Sequence, residues 1–132
     1  MTLNRLKDKV VSYRRAIERL EDALSEDESN PLLYDGVIQR FEFTYELAWK
    51  MIKAYLEYAG IVEVNSPRVA FKEGFSAGLV DNGDTWIEMI SDRNMTVHLY
   101  DKEKAKEIYE RIRDQYYEEL VKLAQHMEEV LQ

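Results

Sequence analysis

Between Pro31 and Ala59 an apolar or aromatic side chain recurs every third or fourth residue: Tyr34, Val37, Ile38, Phe41, Tyr45, Ala48, Trp49, Ile52, Tyr55, Leu56 and Ala59. Residues three and four apart share one face of an α-helix, whereas a strand alternates every second residue, so this stretch admits only a helix. The stripe is broader than the seam of a two-helix contact, and such a helix must be covered on several sides. The spacing therefore predicts a central helix over residues 31–59, stopped by Gly60. No other segment offers the long alternation a sheet would need. Ile61-Val62-Glu63-Val64 is too short and has no strand to pair with, so it reads as a connection.

The flanking segments carry the same period. Leu3, Leu6, Val10, Tyr13, Ile17, Leu20 and Leu24 form a narrow seam on a helix over 3–24, and the polar run Ser25–Asn30 before Pro31 is a loop with Asn30 as N-cap. Ser66-Pro67 opens a short helix over 66–77, Asp81-Asn82-Gly83-Asp84 is a tight turn, and Asp84 caps a helix over 84–96 whose Trp86 belongs in the core. Asp101 caps a last helix over 101–130, lined by Ala105, Ile108, Ile112, Tyr116, Leu120, Leu123 and Met127. The expected fold is all-α: an up-and-down helical bundle of about five helices, resembling a four-helix bundle, in a single domain spanning 1–132. The apolar face of the second helix is wider than one small bundle should need, which predicts a homodimer.

Charge and composition remove several classes of function. Eighteen basic residues against 26 acidic give a net charge of −8, the wrong sign for general coating of nucleic acid. Any action on RNA must then rely on a local cluster of cations. Without cysteine, and with only His98 and His126, no zinc site of the usual kind is expected, and His126 reads as an exposed surface residue. Gly74 and Gly78 stand apart from any phosphate-binding loop, and the Asp81–Asp84 turn lacks the ligand spacing of a calcium loop. No glycine-rich segment followed by an Asp-x-Asp metal pair is present, so the chain holds no nucleotidyltransferase active site, and no cofactor is expected. The mixed, charged start lacks a signal-peptide core and no apolar run is long enough to span a membrane. The expectation is a cytoplasmic protein without membrane contact, in which the Asn94-Met95-Thr96 sequon is not used.

One short stretch concentrates chemistry. Arg93-Asn94-Met95-Thr96-Val97-His98-Leu99-Tyr100 holds a cation suited to phosphate, a residue type that titrates near neutral pH, and a phenol. By residue type alone it is equally a helix end with an exposed cation and a half-buried ring. Glu46 and Lys50 on the second helix are candidates for a polar site, although i,i+4 pairs on a solvated face explain most charges there. In an unbroken α-helix residues five apart diverge by about 140°. Arg93 and His98 can thus share a site only if the helix ends between them or a second subunit completes the pocket.

Taken in order, several segments make the chain similar to the nucleotidyltransferase substrate-binding protein family, a branch of the HEPN helical superfamily. They are Phe41-Glu42-Phe43-Thr44-Tyr45-Glu46-Leu47-Ala48-Trp49-Lys50, then Ser66-Pro67 with Phe71-Lys72-Glu73-Gly74-Phe75, the tryptophan at 86, and Arg93-Asn94 followed by His98-Leu99-Tyr100-Asp101. The last matches the R-x4-H-x-Y form of the HEPN motif. The resemblance implies an all-helical, commonly dimeric protein encoded beside a minimal nucleotidyltransferase. In related toxin–antitoxin pairs the HEPN member is a metal-independent ribonuclease, silenced when the nucleotidyltransferase adenylylates the motif tyrosine. Carried over by position, Arg93 and His98 would be the catalytic pair in a cleft at the dimer interface and Tyr100 the modified residue. Asn94, Glu46 and Lys50 would be secondary binding residues for RNA or a nucleotide. The alternative is a non-catalytic subunit that presents substrate to a separate nucleotidyltransferase.

Overall fold

A computed structural model describes residues 2–98 and 100–132, without the side chains of Val97 and His98. Five helical segments correspond to the five expected. Helix α1 (Leu3–Leu24) begins at Thr2, whose side chain accepts the Arg5 backbone N–H at 3.2 Å, and buries Leu6, Val10, Tyr13, Ile17 and Leu20 along its seam. Helix α2 (Leu33–Tyr58) starts later than expected. Asn30 accepts the Leu32 N–H through its side chain and the Leu33 N–H through its carbonyl, making a turn ahead of the helix instead of capping it. At the far end Gly60, with φ of 92°, lets the Ile61 N–H return to the Leu56 carbonyl at 2.8 Å, which ends the helix as expected.

Ser66 caps α3 (Pro67–Ser76), with proline in the first turn. Helix α4 (Gly83–Asn94) is capped by Asn82, which accepts the Thr85 N–H at 3.2 Å, and not by Asp84, which lies one turn-position too late. A 3₁₀ turn (Met95–His98) follows. Asp101 caps α5 (Lys102–Arg111), accepting the Glu103 and Lys104 N–H groups. The final helix is not uniform. A π-helical turn (Ile112–Tyr116), in which the Tyr117 N–H reaches back to the Ile112 carbonyl, joins α5 to α6 (Tyr117–Val130). No strand occurs among the described residues.

Helix α2 is the axis of the bundle and packs against α1, α3, α5 and α6. Val37, Ile38, Phe41, Ala48, Ile52 and Leu56 are fully buried and Tyr45 is 2% exposed, so the centre of the stripe is covered within one chain, while Tyr34, Trp49 and Tyr55 at its edges are only half-buried. Phe43 and Tyr58 leave further apolar surface on α2. Phe41 stacks on Tyr116, while Tyr45, Phe71 and Trp86 form a second aromatic chain into α3 and α4. Trp86 is in the core as expected. Tyr13 reaches across from α1 to donate to the Leu120 carbonyl at 2.6 Å, and burial pushes its phenol well above the ordinary range.

His126 departs from its expected exposed position. It is half-buried, with Nδ1 2.9 Å from the Leu79 carbonyl and Nε2 3.6 Å from an Asp81 carboxylate oxygen, because α6 packs over the turn between α3 and α4. Nearby, Glu119 is a carboxylate on the inward face of α6.

Two side chains dominate the polar interior. The carboxylate of Asp92, 6% exposed, accepts two hydrogen bonds from Arg111, at 2.7 and 2.8 Å, and one from the Tyr116 hydroxyl. Both donors must face α4, although they stand five residues apart. The π turn provides this, since its five-residue bonding period suits that spacing better than an α-helix does. Burial pushes the Tyr116 phenol well up, with the Asp92 bond and the Asp92 and Glu88 charges adding to it, so the hydroxyl stays a donor. Asp92→Ala removes the acceptor for all three bonds. It should destabilise by about 3 kcal/mol and lower Tm by about 10 °C in a thermal melt.

Burial also raises the Glu119 carboxyl above its ordinary range, Asp81 and Glu118 adding to it against Lys122 and His126. An acid raised in the folded state holds its proton more tightly folded than unfolded. Its favourable contribution is complete below the unfolded value, about pH 4, and is lost as pH rises through the raised value. Glu119→Gln should therefore raise Tm at pH 7 and lose that advantage near pH 4, as read by circular dichroism melts at both pH values.

Candidate functional site

Arg93 lies in the last turn of α4, next to the residue that anchors that turn to α5 and the π turn. Its own side chain is held more lightly. Nη1 donates to the Thr96 hydroxyl at 3.1 Å, and that hydroxyl donates back to the Arg93 carbonyl at 2.8 Å, closing a small ring over the helix end. Nη2 is 4.0 Å from Glu42 Oε2 on α2, a long ion pair. Nε is buried and has no hydrogen-bond partner among the described residues. A buried N–H left unbonded costs free energy, so this guanidinium is not fully satisfied by its resting contacts.

Further positive charge gathers around the Tyr45 phenol. Burial, reinforced by Glu46, pushes that group up to about 12, and Arg93 and Arg68 pull it back, which places both guanidinium groups within electrostatic reach of one buried hydroxyl. Arg68, in the first turn of α3, gives the motif end of the protein a second cation. In a chain of net charge −8 such a pair is the local exception that handling a phosphate requires.

The expected site residues are only partly brought together. The α-helix ends at Asn94, between Arg93 and His98, but the 3₁₀ turn that follows continues the winding at three residues per turn, so the backbone of one chain does not by itself bring the two positions to one face. The backbone of His98 lies in the 3₁₀ turn, whereas the imidazole and Leu99 lie outside the described residues, as does the expected cleft joining Arg93 to that ring. Asn94 is exposed at the end of α4. Tyr100 is 83% exposed just before the Asp101 cap, beside a shallow cavity of about 340 Å³ that it shares with Asn30, Tyr34 and Lys102.

Glu46 and Lys50 form a group of their own farther along α2. Glu46 Oε2 accepts the Trp49 indole N–H at 3.1 Å and lies 3.9 Å from Lys50 Nζ. The carboxylate facing Arg93 is Glu42, which the sequence pattern left among ordinary surface charges. Glu42, Thr96 and Arg68 are the site residues that spacing missed. Glu42 and Arg68 meet Arg93 and Tyr45 only across elements, while Thr96, three residues after Arg93, carried a readable signal as a helix-end hydroxyl. Among the described residues no group of three or more histidine or acidic side chains is placed to hold a metal ion, and no helix is long and apolar enough to cross a membrane.

Comparison with known proteins agrees with this architecture. Residues 8–129 match the family described as nucleotidyltransferase substrate binding protein like. A Haemophilus influenzae protein named "Probable ribonuclease HepT" is 32% identical over 122 residues, covering 86% of this chain and 84% of the relative. A crystal structure from Thermus thermophilus superposes with a TM-score of 0.76 at 28% identity, covering 91% of this chain and 98% of that one. A second solved structure, from Haemophilus influenzae, is described as revealing the fold of a substrate binding domain of a nucleotidyltransferase. It superposes with a TM-score of 0.70 at 28% identity, over 96% of this chain and 99% of that one. With a family match that runs through both the aromatic α2 segment and the Arg93 helix end, this chain belongs to the nucleotidyltransferase substrate-binding protein family.

Proposed function

We propose that this protein is the HEPN-type partner of a separately encoded minimal nucleotidyltransferase and acts in the cytoplasm as a metal-independent endoribonuclease, the toxin of a toxin–antitoxin pair. The observation that carries the reading is Arg93. It is a partly buried guanidinium with an unbonded Nε and a long ion pair, immediately before the turn that bears His98. The relative named as a probable ribonuclease supports the same assignment. His98 takes the proton of a ribose 2′-hydroxyl as its oxygen attacks the adjacent phosphorus, the bond to the 5′-oxygen breaks to leave a 2′,3′-cyclic phosphate, and the departing 5′-oxygen is protonated by water. Arg93 carries the extra negative charge of the pentavalent phosphate, aided at longer range by Arg68. Two copies of the chain meet so that both motifs lie near the twofold axis. Exposed Phe43, beside Glu42 on α2, is the apolar surface that supports such a contact.

A second reading, a non-catalytic subunit presenting substrate to the nucleotidyltransferase, is favoured by the substrate-binding description of the Haemophilus structure. RNA integrity separates the two. The purified chain should cleave RNA without added metal, and Arg93→Ala and His98→Ala should each slow cleavage by about 100-fold or more while Tm moves by only a few degrees. Intact RNA with the wild-type chain leaves the substrate-binding reading standing. Parallel loss of activity and folding makes the pair structural. Sedimentation of the same preparation should give the mass of two chains, and a one-chain mass at micromolar concentration removes the dimer.

Tyr100 is the acceptor through which the nucleotidyltransferase silences the site. Its phenolic oxygen attacks the α-phosphorus of ATP, pyrophosphate leaves, and the added phosphodiester competes with RNA for Arg93. Incubation with the neighbouring nucleotidyltransferase, ATP and magnesium should add the mass of an adenylate to a peptide containing Tyr100. Tyr100→Phe should abolish the label and keep RNA cleavage. Labelling elsewhere, or none, counts against this partnership.

A further inference from the structure

At the opposite end of α4 from Arg93 lies a cavity of about 820 Å³, walled by α3, the turn at Asp81–Gly83 and α6. At about 1.5 Å of rise per residue, roughly 15 Å of helix separates it from the motif. Its lining includes Phe71, Phe75, Ile87 and the inward-facing Glu119. Glu119 is 7% exposed, and no hydrogen bond or ion pair holds it among the described residues. It stands three residues after Tyr116 and four before Leu123, where the core face of α6 would ordinarily carry an aliphatic side chain. The Glu119 oxygens keep solvent contact at the cavity wall, with Lys122 and His126 acting on them only at a distance, so a charged N–H donor entering the cavity can bond them directly in place of water.

The other lining groups define the sign of such a visitor. Asp81, Asp84 and Glu119 face Lys72 and Lys122, and the Lys122 ammonium already lies 3.3 Å from Glu118, which does not line the cavity. The N-terminus of α4 opens here too, but Asn82 occupies the Thr85 N–H and Asp84 sits in the first turn, so its attraction for an anion is already met. Phe75 is 53% exposed at the rim, where its ring lies close to Gly83, and the buried Phe71 also lines the cavity.

We propose that this cavity is a binding site for a small organic cation with a flat apolar body, an aryl amidinium or aryl ammonium, whose N–H donors meet the Glu119 carboxylate while its ring lies against Phe75. An amidinium can give a carboxylate two parallel hydrogen bonds, and the acidic surface draws cations toward the mouth. The site is independent of whether the Arg93 end cleaves RNA, so failure of either assignment leaves the other untouched.

The test uses the full-length chain, titrated with benzamidinium chloride and followed by amide chemical shifts, with sodium benzoate as the anionic counterpart. Saturable binding near about 1 mM or tighter is expected, with the largest shifts at Phe75, Leu120 and Lys122. Glu119→Gln keeps the shape and removes the charge, and should weaken binding about tenfold or more. Phe75→Ala alters an exposed residue that folding tolerates, and should weaken it several-fold. The proposal is overturned by no saturation up to about 20 mM, which is weaker than any built site of this size would give. Affinity unchanged in Glu119→Gln or in Phe75→Ala overturns it as well. So does tighter binding of benzoate at the same amides, which would make this an anion site held by Lys72 and Lys122.

Discussion

Asp92 is where the two halves of this protein are joined. Its carboxylate is buried, and the guanidinium of Arg111 and the hydroxyl of Tyr116 fill its acceptor sites from a different helix. A buried carboxylate with such partners tolerates little displacement, because moving away from Arg111 leaves its charge unpaired and moving away from Tyr116 leaves a buried acceptor unsatisfied. The end of α4 is therefore fixed relative to α5 and the π turn, and Arg93, the next residue along, inherits that position. The side chain at the proposed centre of function is itself loosely held, while the backbone beneath it is not. That division suits a group that must give up its resting contacts to a phosphate without the helix end moving.

The π turn links this clamp to the rest of the last helix. By shifting the bonding period for five residues it turns both Arg111 and Tyr116 toward Asp92, and Tyr116 at the same time stacks on Phe41 of the central helix. Beyond it, α6 runs with Glu119 facing inward and His126 reaching the Leu79 carbonyl. The irregularity thus touches both ends of α4: through Asp92 at the motif and through the α6 register at the cavity near Asp81–Gly83. The two ends differ in electrostatic character. Arg93 and Arg68 stand beside Glu42 and Glu46 near the motif, whereas Asp81, Asp84 and Glu119 outnumber the lysines at the cavity.

Much of the fold was legible because it rests on local periodicity. The seam of α1, the Ser66-Pro67 start of α3, the Gly60 stop and the Asp101 cap were all readable from spacing, since caps and stripes are set by residues within one or two turns of each other. Where the reading slipped, two neighbouring candidates competed for one role. Asn82 and Asp84 can each cap α4, and the backbone of the preceding turn selects the first. Asn30 can cap a helix or close a turn, and here it closes a turn. The width of the α2 stripe was likewise visible, but not its cover: α1, α3, α5 and α6 together bury its centre and leave Tyr34, Trp49 and Tyr55 half-buried at its edges.

The sequence by itself determined that the chain is helical and where its helices begin and end to within a few residues, because those properties are written in spacings of three and four along the chain. Only the tertiary structure decided which carboxylate faces Arg93 and which is buried beneath it. Glu42 and Glu46 are equivalent by type and separated by a single turn, and it is the approach of α4 to α2 that makes Glu42 the partner. Asp92 and Arg111 stand nineteen positions apart, with no local pattern to join them. Glu119, one charge among many in the chain, becomes a buried residue only where α6 faces α3 and the start of α4 across the cavity. Long-range pairs of this kind carry no signature in a local pattern, since their energy comes from desolvation, which exists only once the surrounding helices have closed.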